Sequence, residues 1–156
     1  MNTSIEIRDY SPADKEALIN LLRLNTPEYF AAAEEADFRH YLDFERELYY
    51  TLLLDGEIAG CGGLNFEDGG TTGIISWDII HPAHQGKVLG ARLVQHRLKK
   101  LKSIEGVQKV VVRTSQLTHK FYQKQGFRLI EIVKDHWAEG FDMYRMELAQ
   151  LLIRSS

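Results

Sequence analysis

The hydrophobic pattern of this chain changes period in its middle, and the change runs through a turn. Ile75, Trp77 and Ile79 alternate with Ser76 and Asp78 as in a strand, whereas Leu89, Leu93, Val94, Leu98 and Leu101 recur at helical spacing. Between them lies His81-Pro82-Ala83-His84-Gln85-Gly86-Lys87-Val88. A strand that passes through a glycine-containing turn into a helix creates an anion site. The first amides of the helix have no intrahelical partner, the macrodipole places partial positive charge there, and glycine admits a ligand close to the backbone. A pyrophosphate has a suitable charge and size. The same turn could merely close a loop, so the rest of the chain has to decide.

At 156 residues, with 44% hydrophobic and 26% charged content, the sequence suits one soluble domain spanning 1–156 with a core of its own. No run approaches the length of a membrane span. The amino terminus lacks the basic region and apolar run of a secretory signal, so a cytoplasmic location is expected. The single cysteine, Cys61, lies between Gly60 and Gly62 in an apolar stretch and reads as packed in a strand. The histidines His40, His81, His84, His96, His119 and His136 show no paired ligand spacing, so no metal site is expected.

Charge is unevenly divided. Residues 1–80 carry 5 Lys+Arg against 16 Asp+Glu, a net of −11, and residues 81–156 carry 14 against 6, a net of +8. If the halves line one cleft, the basic half suits a polyanionic ligand and the acidic half a cationic one; otherwise the charges lie on solvated faces. No basic stretch is interleaved with stacking aromatics, which argues against nucleic acid.

The remaining elements follow from local signals. Ile5 to Arg8 alternates as a strand, and Ser11-Pro12-Ala13-Asp14 supplies an N-cap, a first-turn proline and an acid for a helix to about Leu24. Asn25 to Arg46, acidic and broken by Pro27, reads as a second helical region. Tyr49–Leu54 and Glu57–Phe66 flank Asp55-Gly56 as a hairpin, and Gly73–Ile80 is the next strand. After the helix from Leu89, with Arg92, Arg97, Lys99 and Lys100 around its apolar stripe, the valine run Val107–Arg113 predicts a strand buried on both faces. A short helix from Leu117 to Gln125 ends at Gly126, and Phe127–Val133 and Asp142–Leu148 form a final strand pair. The order β-α-α-β-β-β-α-β-α-β-β predicts an α/β fold with a mixed sheet and helices on its faces.

Two motifs then carry a resemblance. Gln85 and Gly90, following Pro82, match the pattern Arg/Gln-x-x-Gly-x-Gly/Ala, and Phe121-Tyr122-Gln123-Lys124-Gln125-Gly126-Phe127 matches Phe-Tyr-x-Lys-x-Gly-Phe. In this order and separation, and with Ile7-Arg8 and the Asp55-Gly56 hairpin, the chain strongly resembles the GNAT family of N-acetyltransferases from Ile5 to about Leu148. The resemblance implies a mostly antiparallel twisted sheet of about seven strands with helices on both faces. It also implies transfer of an acetyl group from acetyl-CoA to a primary amine of a small molecule or peptide, with a homodimer plausible by analogy. A non-catalytic acyl-CoA-binding or sensing domain on the same fold is the alternative.

Residue roles follow from it. Main-chain amides of Gln85, Gly86, Lys87, Val88, Gly90 and Ala91 would cradle the pyrophosphate, with Ile79 and Ile80 pairing to the pantetheine chain as an added strand would. Val88 departs from the pattern, standing where the family has glycine; with Gly86 and Gly90 retained, and the Leu89-Leu93 spacing continuing into the helix, it reads as a helical position. Tyr122 falls where the family has the general acid for the departing sulfur. Ser115 stands where relatives often have an asparagine, seven residues earlier, and Lys120 could meet a CoA phosphate. The acceptor amine must be neutral to attack, and Asp78, acting through a water, is the candidate base. Glu28, Tyr29 and Glu34 are candidates for the acceptor side. His81 and His84 are either turn residues or catalytic groups.

Overall fold

The computed structural model describes residues 4–85 and 88–148. Seven strands lie among them: β1 (Ile5–Asp9), β2 (Leu48–Leu54), β3 (Glu57–Glu67), β4 (Thr72–Ile80), β5 (Lys109–Thr114), β6 (Arg128–Ala138) and β7 (Phe141–Leu148). They form one open sheet in the order β1-β2-β3-β4-β5-β7-β6. The helices α1 (Lys15–Leu24), α2 (Glu34–His40), α3 (Leu89–Lys102) and α4 (His119–Lys124) occupy the connections. β4 and β5 run parallel, while β1–β2, β5–β7 and β6–β7 are antiparallel, so the sheet is mixed, as the element order predicts, and mostly antiparallel, as the resemblance implies. Parallel neighbours need a crossover, and α3 supplies it. Tertiary contacts group the chain into two units, Met1–Gly63 with Trp77–His96, and Leu64–Ser76 with Arg97–Ser156.

In the first unit, the chain enters α1 through a capping box. Ser11 Oγ accepts from the Ala13 N–H at 3.3 Å, and the Asp14 carboxylate accepts from the Ser11 N–H at 3.1 Å. Asp14 does more than cap. Nearly buried, it also accepts from both terminal nitrogens of Arg8 on β1, at 2.7 and 3.0 Å, and from the Thr51 hydroxyl on β2 at 3.0 Å. One carboxylate thus joins two strands and a helix. The Arg8 guanidinium holds the Asp14 carboxyl below the usual carboxylate range, assisted by the Ser11 and Thr51 donors and opposed by burial.

The core of this unit gathers Leu18, Ile19, Leu21 and Leu22 of α1 with Phe38, Tyr41, Leu42, Tyr49, Cys61 and Ile79. Cys61 is fully buried in β3, as its apolar surroundings predict. Gly63 permits β3 to lie close to β2, since a Cβ there would overlap the Leu48 carbonyl oxygen and the Tyr49 ring. The helical region expected from Asn25 to Arg46 is shorter in the structure. Turns with a cis Thr26–Pro27 bond occupy its first part, and α2 starts only at Glu34. It runs on into a wider turn over Tyr41–Glu45, in which the Arg46 N–H donates to the Tyr41 carbonyl.

β4 departs from a regular strand at one residue. Trp77 has a φ of +49°, left-handed backbone that a bulky side chain rarely adopts. Its carbonyl accepts from the Tyr49 hydroxyl at 2.7 Å, and its indole packs against Phe38 at 4.9 Å, Tyr41 at 6.2 Å and, stacked, Phe30 at 6.3 Å between ring centres. Burial pushes the Tyr49 phenol well above its ordinary value, with Cys61, Tyr41 and Asp78 adding in the same direction, so it remains a neutral donor. The ladder to β5 runs from Thr72 opposite Lys109 to Ile75 opposite Val112, and Trp77 to Ile80 extend beyond that last pair.

In the second unit Val110, Val111 and Val112 are all buried, as the valine run predicts for a strand covered on both faces. Gly126 follows α4 with a φ of +102°, the left-handed cap expected there. Two expectations change. β6 continues to Ala138, past the predicted Val133, through a register irregularity that includes Asp135 at a φ of +52°. Arg97, expected around the apolar stripe of α3, is fully buried, whereas Leu98 is only partly so. Position 97 lies four residues from both Leu93 and Leu101, on the same row of the helix as those two buried leucines.

Asp14→Asn should lower stability at neutral pH by roughly 2 kcal/mol, because it weakens a charged hydrogen-bond set. Since the native carboxyl is held low, that contribution is complete above about pH 5 and shrinks as the solution is acidified through and below the ordinary carboxylate range. Urea midpoints of the two proteins should therefore converge towards pH 3. Tyr49→Phe removes only the hydroxyl that holds Trp77, and should cost about 1–2 kcal/mol with a shifted Trp77 emission in a Trp137→Phe background. Unchanged emission would show that the rings alone fix Trp77.

Candidate functional site

At the end of β4 Ile79 points into the core, and Ile80 is half-buried. The Ile80 carbonyl is already engaged, accepting from Asn25 Nδ2 at 3.1 Å and from Gln85 Nε2 at 3.2 Å. The strand then turns through a single 3-10 turn, Pro82–His84. His81 caps it: its Nδ1 accepts from the Ala83 N–H at 3.1 Å, so the proton of the neutral ring sits on Nε2. The His84 ring lies 5.3 Å from that of His81, and its Nδ1 is buried without a hydrogen-bond partner among the described residues.

Gln85 ends this stretch, its side-chain amide turned inward onto Asn25 and Ile80. Gly86 and Lys87 lie outside the described residues. Val88, expected to be helical, stands one position before α3 instead, and its carbonyl accepts the first helical bond from the Arg92 N–H at 2.9 Å. Its side chain is 62% exposed and therefore crowds nothing in the core. Gly90 and Ala91 fall in the first turn of α3, where backbone amides have no intrahelical partner.

The acidic segment after α1 separates its three candidates. Glu28 is exposed on the surface. Tyr29 is half-buried, and its N–H donates to the Asn25 carbonyl at 2.8 Å. Glu34 is buried, with one carboxylate oxygen accepting from the Ala31 N–H at 2.8 Å. Burial pushes the Glu34 carboxyl above its ordinary value and Asp37 adds to this, while the Ala31 N–H pulls it back. Asp78, half-buried on β4, follows directly on the left-handed Trp77.

In the second unit Tyr122 is nearly buried between two rings, edge-on to Phe121 at 5.0 Å and to Phe127 at 5.8 Å. Ser115 uses its hydroxyl locally, accepting from the Leu117 N–H at 3.2 Å, and so helps to start α4. Lys120 is exposed. Three neighbours lie outside the candidate set drawn from the sequence, where His119 is weighed as a metal ligand and set aside. Gln116 bridges to the β6–β7 hairpin by donating to the Gly140 carbonyl at 2.7 Å and accepting from the Asp142 N–H at 2.9 Å. The Trp137 indole donates to the Thr114 carbonyl at 3.2 Å. His119 packs on Tyr144 at 4.5 Å between ring centres, with Nδ1 3.1 Å from the Gln116 carbonyl. A glutamine in a loop and a histidine in a short helix carry no periodicity that could have singled them out.

Among the described residues no three His, Cys, Asp or Glu side chains are grouped to hold a metal ion. No described helix is long and apolar enough to cross a membrane.

Comparison with known proteins bears on this arrangement. A search of curated proteins by sequence finds no match. Among solved structures, an aminoglycoside 6'-N-acetyltransferase complexed with coenzyme A superposes with a TM-score of 0.74 at 17% identity, covering 92% of this chain and 96% of its own. The ribosomal-protein-S18-alanine N-acetyltransferase from Escherichia coli gives 0.76 at 18% identity, with 94% of each chain covered. An IAA acetyltransferase from Bacillus cereus gives 0.73 at 25% identity over 94% of this chain and 99% of its own. The model of the acetyltransferase (GNAT) family matches residues 16–127, a span that holds both the turn from Gln85 to Ala91 and the Tyr122 segment. With most of its length matched by that model and its fold shared with these enzymes, the chain belongs to the acetyltransferase (GNAT) family.

Proposed function

We propose that this protein transfers the acetyl group of acetyl-CoA directly to a primary amine of a small molecule or a peptide. The observation that carries the reading is the end of β4 leading through Gln85 into the first turn of α3, inside the span matched by the family. Coenzyme A is bound in one of the structural neighbours, and neighbours act on acceptors as different as aminoglycosides and a ribosomal-protein alanine, which leaves the acceptor class broad.

The chemistry sets three demands. The pyrophosphate of the donor needs amides without partners, which Val88, Gly90 and Ala91 offer at the start of α3; Gln85, whose N–H donates to the Pro82 carbonyl at 3.4 Å, would have to share its amide, and Gly86 and Lys87 complete the proposed cradle. The pantetheine chain needs strand-like pairing at Ile79 and Ile80. Because the Ile80 carbonyl already accepts two side-chain hydrogen bonds, the N–H is the group of Ile80 that such pairing would use. Ser115, with its hydroxyl turned to Leu117, and Lys120 are secondary donor-side contacts in this reading.

The amine must shed a proton. A lysine-like amine is neutral in only about one part in a few thousand at pH 7, so desolvation or a base has to help, and Asp78 acting through a water is the assigned base. As nitrogen bonds to the acetyl carbon, the carbon–sulfur bond breaks and the thiolate takes up a proton. Tyr122 is the assigned donor. A phenol near pKa 10 and a thiol near 8.5 make full proton transfer uphill by about 2 kcal/mol, so its hydrogen bond to the developing thiolate is the larger contribution. Glu28, Tyr29 and Glu34 form the acceptor side. Glu34 is the member whose burial would make an ammonium partner count most, by relieving a desolvated carboxylate.

Acetyl-CoA binding by calorimetry, together with CoA release over a panel of small amines and peptide amino termini, tests the reading. Binding with turnover supports it; binding without turnover on any amine favours an acyl-CoA sensor, and no binding rejects both. Val88→Gly should leave affinity within about five-fold, because the side chain it removes is exposed and Val88 precedes the helix. Tyr122→Phe should lower kcat by roughly 10- to 100-fold with little change in acetyl-CoA affinity. Unchanged turnover would remove Tyr122 from the mechanism.

A further inference from the structure

Asn25 terminates α1 and is 2% exposed, and every polar atom of its side chain is used. Nδ2 donates to the Leu21 carbonyl at 2.8 Å and to the Ile80 carbonyl at 3.1 Å, while Oδ1 accepts from Gln85 Nε2 at 2.8 Å. The amide has only one workable orientation. Two carbonyl oxygens require the nitrogen on their side, which leaves the oxygen to face the Gln85 amino group. Gln85 Nε2 in turn also donates to the Ile80 carbonyl at 3.2 Å, so three groups close one small network.

The main chain of the same residue reaches the other way. The Asn25 carbonyl accepts from the N–H of Tyr29 at 2.8 Å and of Phe30 at 3.2 Å, the start of the segment that leads to Glu34. Phe30 stacks on Trp77, which lies three residues before Ile80 on the same strand. One buried residue therefore touches the end of α1, the end of β4, the opening of the turn before α3, and the first turn of the acidic segment.

We propose that Asn25 is a positioning residue that fixes Gln85 and couples the turn before α3 to the acceptor-side segment beginning at Tyr29. The inference rests on the reading of the Gln85 turn as the CoA site. Its physical content is that the network is satisfied in one arrangement only. Disturbing Gln85 leaves the buried Asn25 Oδ1 without its donor, a cost that favours rearrangement of Asn25 and, with it, of the carbonyl that holds the Tyr29 and Phe30 amides. Ligand at the turn tightens the same set, so donor binding pre-orders the acceptor segment.

The test uses the full chain. CoA affinity is measured by calorimetry for the wild type, Asn25→Ala, Gln85→Ala and the double variant, and amide exchange at Tyr29 and Phe30 is followed by NMR without ligand. Each single variant should weaken CoA binding about 5- to 20-fold, and the double variant no more than the worse single, because both remove one network. Gln85→Ala, although it touches neither Tyr29 nor Phe30, should speed exchange at both amides several-fold. The proposal is overturned if Asn25→Ala binds CoA within two-fold of wild type, if the single effects multiply in the double variant, or if exchange at 29 and 30 is unchanged. Should Asn25→Ala fail to fold, the isosteric Asn25→Asp keeps an acceptor for Gln85, loses the donor to Ile80, and takes its place with the same expectations. A wild type that does not bind CoA rejects the donor-site reading, and the exchange experiment then decides the coupling on its own.

Discussion

The left-handed backbone of Trp77 is the constraint on which the end of β4 and the turn that leaves it depend. A bulky residue at a φ of +49° is held at a cost of about 1–3 kcal/mol, and it persists only where its surroundings leave no alternative. Here the Tyr49 hydroxyl takes its carbonyl and three aromatic rings surround its indole. The residues that follow it on β4, Asp78, Ile79 and Ile80, and the turn that leaves the strand inherit that orientation. A sheet usually spends its central strands on stability. At this residue β4 gives up regularity to aim what comes after it.

The polar interior of the unit obeys the same logic. Asp14 and Asn25 are both nearly buried, and each is surrounded by several partners from separate elements. Such groups add little net stability over apolar ones of similar size, because desolvation offsets most of what their hydrogen bonds return. They contribute by excluding alternatives. A β1 strand that slipped by one residue would separate Arg8 from Asp14, and an α1 that ended elsewhere would take one partner each from the Leu21 carbonyl, the Ile80 carbonyl and the Gln85 amide.

Much of this was legible in the sequence because the signals are local. The capping box at Ser11, the Asp55-Gly56 turn, the valine run and the cap at Gly126 each state their conformation within a few residues, and all appear in the structure. The family emerged from two short motifs for the same reason. The misses are non-local. Alternation along β4 reads as a regular strand because nothing between Gly73 and Ile80 announces the hydroxyl of Tyr49. Arg97 reads as a surface cation because charge outweighs its place on the row of Leu93 and Leu101. Asn25 looks like the end of a helix, which it is; that its amide also reaches Ile80 and Gln85, 55 and 60 residues away, is a property of the assembled fold. The candidate acidic residues separate only by burial, and burial cannot be read from a segment with acids on every side.

Cys61 lies fully buried in β3, and it is the one cysteine in the chain. The folded protein consequently presents no thiol to its surroundings. In the proposed transfer from acetyl-CoA the spent donor leaves as a free thiol, which would meet no cysteine on the surface of the folded protein with which to form a mixed disulfide. A catalyst of that kind would not be capped by its own by-product where conditions are oxidising.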